Sequence, residues 1–158
     1  LAGVAHLRSL EFVNIDRIAL HGWSYGGFMT TNLLCSYPNV FTRGVAGVPV
    51  IDWKFYEIMY TERFMDTPES NLEGYNKTSL LNKAKNLEDK LLMIHGTQDD
   101  VVLWQHSLAF VQECVRQGVA LDYFPYPGHK HNVRGKDRVH LMTKVIDYIV
   151  ENNKSKED

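Results

Sequence analysis

Three short stretches of this chain carry side chains that could perform acyl transfer together. Gly22-Trp23-Ser24-Tyr25-Gly26 has the G-x-S-x-G spacing of a nucleophile elbow. A serine hydroxyl is a weak nucleophile unless it is held exposed beside a base, and a sharp strand-to-helix turn achieves that. Small residues two places before and after the serine let the backbone turn tightly, and the following helix directs N–H groups to where negative charge would develop on a carbonyl oxygen. The second stretch is His95-Gly96-Thr97-Gln98-Asp99-Asp100-Val101-Val102, and the third is Tyr126-Pro127-Gly128-His129-Lys130-His131-Asn132. Their order, serine then acid then histidine, suits a triad in which histidine takes the serine proton and the acid holds the imidazole.

The residues alone leave the partners open. Of seven histidines, His6 and His106 fall on helical patterns and read as solvated or half-buried, as does His140. His21 and His95 sit at strand ends, where they would pack turns. The last loop leaves His129 and His131, and spacing does not separate Asp99 from Asp100.

The elements needed to position these stretches are legible. Arg17-Ile18-Ala19-Leu20 leads into the elbow as a short buried strand, and Phe28 to Ser36 reads as a helix stopped near Pro38. Further strands are expected at Arg43 to Val50, Lys90 to His95 and Leu121 to Tyr126. Helices are expected at Ala2 to Phe12, Trp53 to Tyr60, Gln105 to Gln117 with Gly118 as its stop, and Val139 to Asn152. Thr61 to Asn86 is polar and punctuated, with short helical pieces at most. The alternation predicts an α/β fold: a mostly parallel sheet with helices on both faces and its active residues at the carboxyl ends of the strands. Residues 1–152 would form this partial catalytic domain, and 153–158 a polar C-terminal tail.

Composition narrows the field. At 158 residues, 44% hydrophobic and with a net charge of −2, the chain is one domain in length, with no electrostatic case for nucleic acid or an anionic membrane. No apolar run approaches a membrane span. The chain begins at Leu1 in what reads as mid-helix, without methionine, as a fragment of a longer protein would. Cys35 and Cys114 lie in apolar helical patterns and are expected to be buried free thiols. No H-E-x-x-H or C-x-x-C spacing calls for a metal, and no cofactor is expected.

Gly22-Trp23-Ser24-Tyr25-Gly26-Gly27, Tyr60-Thr61-Glu62-Arg63-Phe64-Met65, Asn71-Leu72-Glu73-Gly74-Tyr75 and His95-Gly96-Thr97-Gln98-Asp99-Asp100 resemble, in order, motifs of the prolyl oligopeptidase family, dipeptidyl peptidase IV branch. Val50-Ile51-Asp52-Trp53, Val102-Leu103-Trp104-Gln105-His106-Ser107 and His129-Lys130-His131-Asn132-Val133 look closest to bacterial prolyl tripeptidyl peptidases within it. The resemblance implies the C-terminal part of an α/β-hydrolase fold and a serine exopeptidase that cleaves after proline near a free N-terminus, releasing dipeptides or tripeptides. It puts the nucleophile on Ser24, the acid on Asp99 and the base on His131, with the Tyr25 N–H in the oxyanion hole. Its proline pocket maps onto Tyr25, Val50, Trp53, Tyr56, Tyr60 and Val102. Trp53, Tyr56 and Tyr60 are spaced to share one helix face, although an ordinary amphipathic helix packing aromatics into a core has the same spacing. Val101 departs from the family pattern, standing where dipeptidyl peptidase IV has an asparagine that binds a substrate carbonyl, and this favours tripeptide release. The resemblance further implies an upstream β-propeller that grips the substrate amino terminus, an upstream tyrosine as second oxyanion donor, proline-containing peptides as substrates, homodimers formed partly through the last helix, and export to the periplasm or cell surface of a bacterium. The 158 residues alone would then be nearly inactive. An esterase on the same fold and a non-catalytic binding module are the alternatives.

Overall fold

The computed structural model describes residues 1–151; the expected tail at 153–158 and the last residue of the expected domain lie outside them. Four parallel strands form one sheet in chain order: β1 (Ala19–Trp23), β2 (Arg43–Gly47), β3 (Lys90–Gly96) and β4 (Asp122–Tyr126). Around it lie α1 (Ala2–Arg8), α2 (Tyr25–Ser36), α3 (Ile58–Met65), α4 (Leu72–Thr78), α5 (Gln105–Gln117) and α6 (Asp137–Glu151), with 3₁₀ turns at Trp53–Phe55 and Leu81–Asn86.

Successive strand residues point to opposite faces, and the core divides accordingly. Ala46, Leu91 and Met93 pack with Phe28 and Leu34 of α2 and Phe110 and Cys114 of α5. Val45, Leu92 and Ile94 pack with Leu141 and Val145 of α6. The sheet is thus apolar on both faces and covered on both, the condition for parallel pairing. Both cysteines are buried and free, and burial pushes the Cys35 thiol up to about 12 and that of Cys114 up to about 11.

Several boundaries differ from expectation. The first helix ends at Arg8 rather than Phe12; it buries none of its residues, so no packed face exists to extend it, and Phe12 is exposed. β2 ends at Gly47 rather than Val50, because Val48 adopts φ +40 and turns the chain out of the ladder while its N–H donates to the Ile94 carbonyl at 2.7 Å. That is a strained conformation for a β-branched residue, and it aims residues 48–53 across the carboxyl ends of the strands. The helix expected over Trp53 to Tyr60 is broken in two. Asp52 caps the 3₁₀ turn by accepting from Lys54 N, and it accepts from Ser79 Oγ at 2.6 Å. Tyr56 is extended, and α3 starts only at Ile58. The rings of Phe55 and Tyr56 lie against His106, and these tertiary contacts outweigh the modest helix propensity of aromatic residues. By contrast, α5 ends as expected at Gly118, whose left-handed conformation (φ +68) closes the helix.

Phe110 is fully buried between α5 and the sheet. Phe110→Ala is expected to cost about 3–5 kcal/mol, measured as the shift in urea unfolding free energy.

Candidate active site

Ser24 occupies the turn from β1 into α2 at φ +59, ψ −117, in a backbone region that L residues other than Gly rarely adopt. Its N–H donates to the Gly47 carbonyl at 2.8 Å and its carbonyl accepts from Phe28 N, which fixes the turn at both ends. The hydroxyl makes no capping bond to α2 and is left available. Tyr25, as the first residue of α2, has an N–H outside the helical ladder. The two small residues expected to permit the tight turn differ in how closely they are packed. A Cβ on Gly22 would run into the Gly26 backbone, whereas one on Gly26 would meet nothing within 4 Å.

Asp99 lies in the β3–α5 loop and is buried. His131 Nδ1–H donates to its Oδ2 at 2.9 Å, and Oδ1 accepts from the N–H groups of Val101 and Val102 at 2.9 and 3.0 Å. Burial alone would raise this carboxyl, but the hydrogen bonds from His131, His95 and the Val101 N–H outweigh it and hold it well below the usual carboxylate range. Since a carboxylate only accepts, His131 carries a proton on Nδ1, which leaves Nε2 as the nitrogen that could act as a base. The His131 carbonyl accepts from the Trp23 indole N–H at 2.9 Å, tying the histidine loop to the residue before Ser24.

The alternatives left by spacing are occupied elsewhere. Asp100 is exposed and pairs with Lys130 at 2.7 Å, and His129 pairs with Asp137 at 2.8 Å. His140 Nδ1 bonds the Tyr126 hydroxyl, and His21 Nδ1 bonds the Val45 carbonyl. His106 departs from the solvated or half-buried expectation: it is fully buried, and its Nδ1 accepts from Ile51 N–H at 3.0 Å. Burial, helped by His95, pushes its pKa down to about 4.

The aromatic residues converge although they do not share one helix. Trp53 stacks on Tyr60 (6.0 Å, 19°), and Tyr56 stands edge-on to both at 5.8 and 5.5 Å. Tyr25 lies 6.1 Å from Trp53. A mainly apolar cavity of about 330 Å³ is lined by Tyr25, Phe28, Trp53, Tyr60, Phe64 and Met65, among others. Of the expected pocket residues, Tyr25, Trp53 and Tyr60 line it; Val50 and Val102 are buried in the core, and Tyr56 braces the rings from the side. Phe28 and Phe64 were not anticipated, although each follows a pocket tyrosine at helical spacing, Tyr25 and Tyr60 respectively. A larger cavity of about 680 Å³ includes Lys90, Asp122, Lys144 and Asp147; it opens at the amino ends of β3 and β4, the wrong end of a parallel sheet for this chemistry.

Two outcomes follow from this geometry. Gly22→Ala should lower unfolding free energy by about 3 kcal/mol or more, because backbone cannot give way as a side chain can, whereas Gly26→Ala should stay within about 1 kcal/mol. Denaturant melts of the two variants compare them directly. Acid should weaken the fold in two stages. The unfolded chain binds a proton at His106 near pH 6.5 that the folded chain refuses until about 4, so stability falls as pH drops through that window. Asp99, depressed in the fold, adds a second loss below about pH 4. His106→Gln, which can still accept from Ile51 N–H, should flatten the first stage by on the order of 2 kcal/mol in urea titrations run at stepped pH.

Comparison with known proteins agrees with the expected family and fold. The model of the prolyl oligopeptidase family (peptidase S9) matches residues 1–156. Dipeptidyl peptidase 8 of Homo sapiens is 34% identical over 155 residues, covering 95% of this chain and 17% of that protein. Among solved structures, a Bacteroides ovatus protein assigned as a dipeptidyl aminopeptidase IV is 54% identical with a TM-score of 0.94, covering 96% of this chain and 21% of its own. Dipeptidyl peptidase 4 of Porphyromonas gingivalis is 37% identical with a TM-score of 0.91, covering 96% and 22%. The chain therefore spans about a fifth of the length of these relatives. Its four strands form part of an α/β-hydrolase sheet, and the chain belongs to the prolyl oligopeptidase family.

Proposed function

We propose that the protein containing this chain is a serine exopeptidase of the dipeptidyl peptidase type, which cleaves peptides after a proline near the free amino terminus. The observation that carries this reading is the hydrogen bond from His131 to buried Asp99, on loops that follow β4 and β3 of the sheet whose β1 ends in the strained Ser24 turn. Ser24 Oγ attacks the carbonyl carbon of the proline as its proton passes to His131 Nε2. The oxyanion is received by the Tyr25 N–H. His131 then gives the proton to the leaving amine, the C–N bond breaks, and an acyl-enzyme remains on Ser24. Water, deprotonated by His131, hydrolyses the ester, releases the N-terminal fragment as an acid ending in proline, and restores Ser24. Asp99 stays ionised throughout, holding the imidazole in register and stabilising its charged form.

The aromatic box supports proline selection. Flat rings from Trp53, Tyr56 and Tyr60 offer apolar surface to a pyrrolidine ring, and the buried floor rejects longer side chains by overpacking. Recognition of the free amino terminus and a second oxyanion donor belong, in this proposal, to upstream parts of the parent protein, including a β-propeller. The relatives named dipeptidyl peptidases favour release of two residues.

The test uses the full-length parent with Ala-Pro and Ala-Ala-Pro chromogenic amides, each with a free or blocked amino terminus. Cleavage of the free forms alone is expected, and which one is cleaved fixes the length released. Asp99→Asn should lower kcat by about 10⁴, while Asp100→Asn leaves it close to wild type. Failure to cleave either amide, with Ser24 still labelled by a fluorophosphonate, would replace the peptidase by an esterase.

A further inference from the structure

We infer that His95 and Ser107 form a positioning pair for Asp99, and through it for His131. The inference rests on the Ser24–His131–Asp99 reading and adds two residues that the reading does not use. His95, in β3, is fully buried, with Asp99 on one side and α5 on the other. Its Nε2 lies 2.8 Å from the Val102 carbonyl and 3.5 Å from Asp99 Oδ2. A carbonyl only accepts, so Nε2 carries the proton. Nδ1 then accepts from the Ser107 hydroxyl at 2.7 Å.

These contacts make a closed arrangement. Val102 offers its N–H to Asp99 Oδ1 and its carbonyl to His95, so the two peptide units that flank one residue are both held. Asp99 is flanked by two imidazoles: His131, which the chemistry would charge, and His95, whose Nε2–H is directed at the Val102 carbonyl and whose Nδ1 meets the Ser107 hydroxyl. The distinction matters. With its Nε2–H committed to the Val102 carbonyl and Asp99 Oδ2 at the longer distance of 3.5 Å, His95 can orient the carboxylate while leaving the short hydrogen bond to His131. Besides these, the titratable groups that act on Asp99 and His95 include Asp100, paired with Lys130, His106 of α5 and Tyr56 of the pocket segment, and His106 is kept uncharged by its burial. Ser107 is itself fully buried in the first turn of α5, so the pair anchors the acid loop to a helix packed on the sheet.

The test uses the full-length parent carrying His95→Phe, His95→Gln or Ser107→Ala. Two quantities are followed against pH: the second-order rate of Ser24 labelling by a fluorophosphonate, and kcat and KM on a prolyl amide. In labelling, Ser24 Oγ bonds to phosphorus, fluoride leaves with the electron pair of the P–F bond, and the serine proton passes to His131. The labelling rate thus depends on nucleophile, base and acid but not on peptide specificity. His95→Phe fills the space without a donor and should lower both kcat and labelling by about 10-fold or more, with KM unchanged. The acid limb should move to lower pH, because a loosened Asp99 stabilises the His131 imidazolium less well. His95→Gln, whose amide can still donate to Val102, should recover most of the loss. Ser107→Ala removes one hydroxyl, reports in a folded protein even where the Phe variant fails to fold, and should give a smaller change in the same directions. Folded variants with wild-type labelling, kcat and acid limb overturn the inference, and so does a limb that moves to higher pH. Wild-type protein that labels at Ser24 without cleaving prolyl amides would sink the peptidase reading alone, leaving the labelling arm to decide. Absence of labelling in wild type overturns both.

Discussion

A carboxylate removed from water must be surrounded by donors, because its uncompensated burial costs several kcal/mol. Asp99 meets that demand with two backbone N–H groups, His131, and a longer approach from His95. Each donor comes from a segment that cannot move without stranding the charge. The β3–α5 loop is wrapped around the carboxylate, the loop after β4 is pulled across to deliver His131, and β3 carries His95 next to its last residue. Once Asp99 is buried, these segments are committed to one arrangement, and Trp23 extends it to the elbow by its bond to the His131 carbonyl. Chemistry and folding thus share one constraint.

Parallel topology turns that local constraint into a site. All four strands run the same way, so the loops carrying Ser24, Asp99 and His131, and the chain leaving β2 towards Trp53, emerge from the same edge. The order of strands in the sheet follows their order in the chain, which brings the elbow on β1 to the far end from β4. The histidine loop therefore has to reach back, and its anchoring by Thr97, Gln98 and Trp23 shows how: Gly128 N–H donates to Thr97 Oγ1, Gln98 N–H to the His129 carbonyl, and Trp23 to the His131 carbonyl.

Much of this was legible in the sequence because the signals are local. Apolar runs marked each strand, Gly118 marked the end of α5, and the elbow spacing marked Ser24. What was not legible depends on partners distant in the chain. The break between Trp53 and Tyr60 is set by Asp52 meeting Ser79 and by aromatic rings settling on His106, so a local helical period misassigned it. Val48 gave no warning of its positive φ, since valine favours regular strand. His106 read as solvated or half-buried because its neighbours on α5 are mixed, and its depth follows from an acceptor role toward Ile51, 55 residues earlier. His95 could be placed at a strand end, but not beside Asp99 and Ser107.

The positive φ at Ser24 sets the local backbone against the side chain the chemistry requires. Serine there holds a conformation that glycine would adopt without strain, so exchanging the proposed nucleophile for glycine would relax the turn at the same step that removes the reacting hydroxyl. Inactivation at this position runs downhill in conformational energy. A lineage freed from selection for catalysis could shed its nucleophile while keeping, or even firming, the sheet and the aromatic cavity beside it. On the proposed reading, the fold is therefore predisposed to outlive its reaction and persist as a binding surface.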